Sequence, residues 1–245
     1  MDFPLHILIA GPLIIGGAYC VFGMTGFGSA VIALPLLTHL LPFKFVLPMF
    51  ALLDVAAFAT MGLRFHADIA RRELAFLLPC LFAGMAAGVL LLIKLPAESI
   101  LLALGIFVLT YGIYAIGRPQ APWRVSRVWA IPAGLIGGAL SALFGTGGPL
   151  YVTYLTARGL TAGQIRSSTA TIFAITAITR IVLFAGAGFY RQERIFTAAL
   201  FLAPAMLVGL YAGHKLHVSL PRERIVQMIG VLLVLSGASL VARNW

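Results

Sequence analysis

FGMTGFGSAVIALPLL, residues 22–37, lies inside an apolar stretch that begins near residue 5. Gly23, Gly26 and Gly28 interrupt it where a membrane helix should run on, with Thr25 and Ser29 set among them. An interior glycine costs a helix roughly 1 kcal/mol relative to alanine. Three of them so close together predict a break. The piece after the break, 29–41, spans only roughly 20 Å as a helix, short of a bilayer core of roughly 30 Å.

Composition sets the class around that break. Of 245 residues, 61% are hydrophobic and 10% charged, against about a quarter charged in soluble domains. Apolar segments at 5–22, 29–41, 45–61, 74–93 and 99–117 are followed by others at 128–144, 149–157, 167–188, 195–213 and 225–242. The expected fold is an all-α polytopic membrane protein. The net charge of +10 comes from Lys and Arg scattered in ones, twos and threes between these segments. They read as membrane-edge anchors and topology signals, not as a nucleic-acid surface. Cys20 and Cys80 lie within apolar segments and suggest neither a disulfide framework nor a metal site. HExxH, GxSxG, GxxxxGK[ST] and paired intramembrane carboxylates are all absent from the sequence, so neither an enzyme nor a cofactor is expected. MDFPLHILIA lacks the basic start of a cleaved signal peptide, and the first segment is expected to stay in the protein.

The chain repeats. Pro79, Gly84 and Gly88 fall on Pro204, Gly209 and Gly213, and LPAESILLALG (95–105) falls on LPRERIVQMIG (220–230), all at an offset of 125. The earlier matches, GGA at 16–18 with 137–139 and FGMTGFG with FGTGGP at 144–149, fall at offsets of 121–122. Two homologous halves, 1–120 and 121–245, are therefore expected within one integral membrane unit. Each would carry a glycine-broken, re-entrant-like first helix and three spanning helices. Loop charges choose the relative orientation. With Arg180 set aside as intramembrane, an inverted arrangement puts eleven basic residues on one face and five on the other, and a parallel one nine and seven. The positive-inside rule favours inverted repeats.

Inverted repeats with broken helices are a recurring transporter design, with the site at the midplane. Segments 29–41 and 149–157 begin just after the breaks. Each offers a helix N-terminus, with unpaired N–H donors and about half a positive charge. Such ends hold anions. The expected substrate-binding residues are Gly23, Thr25, Gly26, Phe27, Gly28 and Ser29 in the first half, and Gly145, Thr146, Gly147 and Gly148 in the second. The competing reading of any one glycine is close helix packing, which suits Gly84/Gly88, Gly134/Gly138 and Gly209/Gly213 better. Asp54, in mid-segment, is a candidate coupling group that could carry a proton, or else holds a serine or backbone group. Arg180 either attracts the anion, pairs with Asp54 or snorkels to an edge. Ser167, Ser168, Thr169 and Thr171 either line the path or bond back to their own helix. Glu98 and Glu223 read as helix caps.

FGMTGFGSAVIALPLL, its echo FGTGGPLYVTYLTARGL at 144–160, and the P-x4-G-x3-G and LP-x-E blocks together resemble the sulfite exporter TauE/SafE family of bacterial permeases. The resemblance implies transport of a small sulfur-containing anion, such as sulfite, a sulfonate or sulfoacetate, across the inner membrane. Met24 and Phe27 depart from the most glycine-rich family form and bear on substrate size. The partners expected are this anion and the bilayer, with a homodimer left open. An anion channel, or a carrier of a carboxylate or thiosulfate, remains the alternative.

Overall fold

The computed structural model describes residues 5–25, 28–61, 68–117, 124–192, 194–216, 230 and 234–242. Gly26, Phe27 and Glu223 lie outside the described residues. Of the described residues 88% are helical and none is in a strand. The elements are α1 (Leu5–Thr25), α2 (Ser29–Leu37), α3 (Phe43–Met61), α4 (Arg71–Lys94), α5 (Ala97–Gly117), α6 (Ala130–Phe144), α7 (Gly148–Ala157), α8 (Ala162–Gly186) and α9 (Arg194–Leu216). A last helical stretch covers 234–242. Six of the described helices, α1, α3, α4, α6 (with the turn before it), α8 and α9, are long and apolar enough to cross a membrane. At 9 and 10 residues, α2 and α7 are not.

Local chemistry explains the boundaries. α8 starts five residues before the apolar segment does, because Thr161 and Gln164 form a capping box ahead of it. Glu98 sits in the first turn of α5, as a cap should. α6 stops at Phe144 because Gly145 takes a left-handed conformation, φ +66°. α2 starts after Gly28, at φ +96°, a conformation that costs any residue with a Cβ about 1–2 kcal/mol.

Two compact units result, and they cut across the sequence halves. One comprises Met1–Leu53, Leu95–Pro119 and Gln192–Trp245; the other comprises Asp54–Lys94 and Gln120–Arg191. In the first unit α9 packs on α1. A Cβ at Gly209 would run into the carbonyl of Gly16, and one at Gly213 into that of Cys20. In the second unit α4 packs on α6. There a Cβ at Gly84 would run into the Leu135 carbonyl, and one at Gly88 would stand 2.8 Å from the Ala139 oxygen. From the other side, Gly134 and Gly138 face the carbonyls of Leu77 and Leu81. These three pairs are packing glycines, letting backbones touch where lipid supplies no hydrophobic drive. α5 packs on 234–242 reciprocally: Gly112 lies against Gly230, and Gly237 against Gly105.

The contacts correct the register of the repeat. Gly209 meets residue 16 and its repeat mate Gly84 meets residue 135; Gly213 meets 20 and Gly88 meets 139. The end of α1 and that of α6, the starts of α2 and α7, and those of α3 and α8 also differ by 119. The expected offset of 121–122 aligned GGA with GGA, an easy slip among small residues. At 119, GFGS (26–29) falls on GTGG (145–148), and Phe27 matches Thr146. The six extra residues that restore 125 enter between Phe43/Ala162 and Pro79/Pro204.

In the second unit, α7 folds back along α6. The Tyr151 ring covers Gly137, the Tyr151 and Ser141 hydroxyls are 3.1 Å apart, and Val125 N–H donates to the Ala157 carbonyl at 3.0 Å. In the first unit, Ile7, Leu8 and Gly11 from the start of α1 share an apolar cavity with Leu37 at the end of α2 and Leu41 in the turn after it.

Candidate anion site

The second unit holds the better-defined site. Gly145 N–H closes on the Ser141 carbonyl at 3.0 Å and Thr146 N–H on that of Leu140 at 3.4 Å, so the last turn of α6 is satisfied from within the glycine stretch. Gly147 precedes α7 and Pro149 occupies its first turn, where a missing N–H costs nothing. No side chain caps α7. Its first intrahelical bond is Tyr151 N–H to Gly147 O, 3.3 Å. The N–H groups of Gly148 and Leu150 precede that bond and have no partner within the helix. Gly147, Gly148 and Thr146 are buried.

Gly147 has a packing role in addition. A Cβ there would strike Ser141 Oγ, come within 2.5 Å of the Gly137 oxygen and within 2.6 Å of Tyr151 Cε2. Gly23 likewise fits packing: a Cβ would lie 2.5 Å from the Leu210 carbonyl on α9. Gly28 differs, with open space where a Cβ would go. Ser29 opens α2, buried, and no side chain caps that helix. Thr25 is the last residue of α1.

Arg180 is 4% exposed and is paired with Asp54, also 4% exposed. Of the three alternatives for Arg180, the ion pair is the one found. Nη1 of Arg180 donates to the Ser141 carbonyl at 3.5 Å, which ties the pair to the turn before α7. Its buried Nε has no hydrogen-bond partner. The hydroxyl run on α8 divides. Thr171 bonds back to the Ser167 carbonyl (2.8 Å), Ser168 Oγ accepts from Ala70 N–H (3.0 Å), and the buried Thr169 hydroxyl is unpartnered.

Sequence reasoning missed a second ionic cluster. Glu73, in the first turn of α4, accepts from Arg127 Nε at 2.9 Å, Arg158 Nε at 3.1 Å and Tyr154 Oη at 2.9 Å. Arg158 Nη1 also donates to the Val125 carbonyl at 2.6 Å. The carboxylate holds the Arg158 guanidinium above its ordinary range. Arg127 precedes α6 and Arg158 follows α7, so one carboxylate clamps both ends of the folded-back pair. The available signal was Glu73 beside Arg71 and Arg72, with Tyr154 and Arg158 one helical turn apart.

Six described helices long and apolar enough to cross a membrane make this a multi-pass membrane protein, and its family makes it a transporter. The chain belongs to the sulfite exporter TauE/SafE family, whose profile matches residues 12–240. It is also similar to the "Probable inner membrane transporter protein TsaS" of Comamonas testosteroni, 28% identical over 196 residues, covering 79% of this chain and 82% of that protein. No solved structure matches it.

Proposed function

We propose that the protein is a secondary transporter of the bacterial inner membrane that carries a small sulfur-containing oxyanion such as sulfite or a sulfonate. The family and the name of the relative support the transporter class, its membrane and the sulfur chemistry. The observation that carries the reading is the start of α7. No side chain caps it, Gly148 there is buried and Leu150 half-buried, and a buried guanidinium lies against the turn before it. Oriented N–H groups at a helix start suit an oxyanion, and a guanidinium adds planar donors. The start of α2 is the repeat counterpart.

The same reading has each glycine-broken pair enter and leave on one face, with the two pairs inverted. Support comes from the Glu73 clamp. A single crossing would part Arg127 from Arg158 by roughly 40 Å at 1.5 Å per residue, yet both bond one carboxylate. The eleven-to-five loop-charge division supports the inversion.

A thermal-shift series on the purified protein with sulfite, methanesulfonate, thiosulfate and acetate tests the substrate class. Stabilisation by the sulfur oxyanions is expected; stabilisation by acetate alone refutes it. In liposomes a transporter moves the anion uphill when a driving gradient is applied, and a channel does not.

A further inference from the structure

We propose that Asp54 is the resident counter-ion of the anion site: an entering anion takes its place on Arg180, and Asp54 leaves the pair carrying a proton. This rests on the transporter reading above and names the co-transported ion.

Arginine does not lose its proton in a protein, so Arg180 carries a permanent charge in a nearly dry setting and needs an anion at all times. Asp54 fills that need in the structure. The pairing engages one edge of the guanidinium. Nη2 serves Asp54, Nη1 reaches the Ser141 carbonyl, and Nε is buried with no partner. An unused buried donor is costly, and an oxyanion is the ligand that would employ it in a two-pronged contact. Thr169 supplies a second orphaned donor, 11 residues earlier on the same helix and hence on the same face after three turns. Ser141, which the guanidinium touches, also packs against Gly147 at the opening of α7. The unused Nε therefore belongs to a guanidinium that adjoins the uncapped helix start.

Charge accounting supplies the proton. With Asp54 on Arg180 the pair is neutral. When the anion replaces Asp54, a carboxylate is left without its cation in an interior that does not tolerate it, and taking up a proton restores neutrality. One anion and one proton have then entered together. Among the described residues, Tyr190, in the 3-10 turn after α8, also senses the Arg180 charge. Burial pushes its hydroxyl up to about 12, so it stays neutral and does not compete. From α6 the pair meets a carbonyl, which does not titrate.

The test uses liposomes containing the full chain and an entrapped pH dye, with a methanesulfonate gradient. Methanesulfonate is a strong acid and brings no proton of its own, so a proton that moves with it is carried by the protein. Acidification inside the liposomes in step with influx, one proton per anion, is expected. Methanesulfonate binding should weaken about tenfold for each unit of rising pH, the limit for one linked proton. In Asp54→Asn the proton movement should vanish and the pH dependence flatten. Wild-type influx with no proton movement overturns the proposal whether or not the variant folds, and so does proton coupling that survives in Asp54→Asn. No movement of sulfite, thiosulfate or methanesulfonate by the wild type overturns the transporter reading itself, and this inference with it.

Discussion

Replacing Glu73 with glutamine should loosen the α6–α7 pair without touching the anion site. The substitution keeps shape and removes charge. Glu73 Oε1 and Oε2 receive four hydrogen bonds, three from arginines and one from Tyr154. A bond to a charged group contributes about 1.5–3 kcal/mol, and breaking a buried pair from one side costs about 3–5 kcal/mol. Arg127 and Arg158 keep 35% and 20% of their side-chain surface, so water can take back part of their charge. The net loss should then be about 2–4 kcal/mol. For a chain of this length 1 kcal/mol shifts Tm by about 2–4 °C, which places Glu73→Gln roughly 4–16 °C below the wild type. Tyr154→Phe removes one neutral donor and should cost about 1 kcal/mol. Because both act on one carboxylate, the double variant should cost less than the sum. Thermal unfolding of detergent-purified protein, followed by tryptophan fluorescence, reads all three. A Tm within 2 °C of wild type for Glu73→Gln would refute the clamp.

Three further outcomes are expected. Cysteines placed at Val125 and Ala157 in a variant lacking Cys20 and Cys80 should cross-link under mild oxidation, since their backbones are hydrogen-bonded at 3.0 Å; absence of a cross-link on denaturing gels would count against the fold-back. Gly84→Leu should abolish monodisperse protein on size exclusion because a side chain there meets the Leu135 backbone, whereas Gly17→Ala, with nothing within 4 Å, should leave stability unchanged or raise it by about 1 kcal/mol. Gly28→Ala should lower stability by about 1–2 kcal/mol through its positive φ alone, and equal stability in a denaturant titration would refute the strain.

Much of this was legible in the residue order. Apolar blocks predicted helices, and glycine clusters predicted where α1 and α6 end, because a run of glycine lowers helix propensity whatever surrounds it. The small-xxx-small pairs were legible as packing because their four-residue spacing repeats one helix face. For Arg180 the sequence left three alternatives open, anion attraction, pairing with Asp54 and snorkelling, because residue order alone does not say which way a long side chain turns; the structure shows the pair. The Glu73 cluster was not legible: its arginines stand 54 and 85 residues away, and only the return of α7 along α6 brings them together. The repeat register misled because Gly-Gly-Ala recurs cheaply, while helix ends and backbone contacts do not slip. The compact units were hidden for a related reason. The strongest glycine contacts join α1 to α9 and α4 to α6, pairing elements of different halves.

That exchange governs the order in which the protein can be completed. α1 leaves the ribosome with its small-residue face bare and meets α9 only after some 170 further residues. At about 5–20 residues per second this is roughly 10–30 s. α4 waits about 35 residues for α6, a few seconds. Truncation anywhere before α9 therefore leaves the small-residue face of α1 as an unfilled groove in lipid, and synthesis itself has a long interval in which that face meets only the bilayer while α2 and α3 hold the helix from its other side.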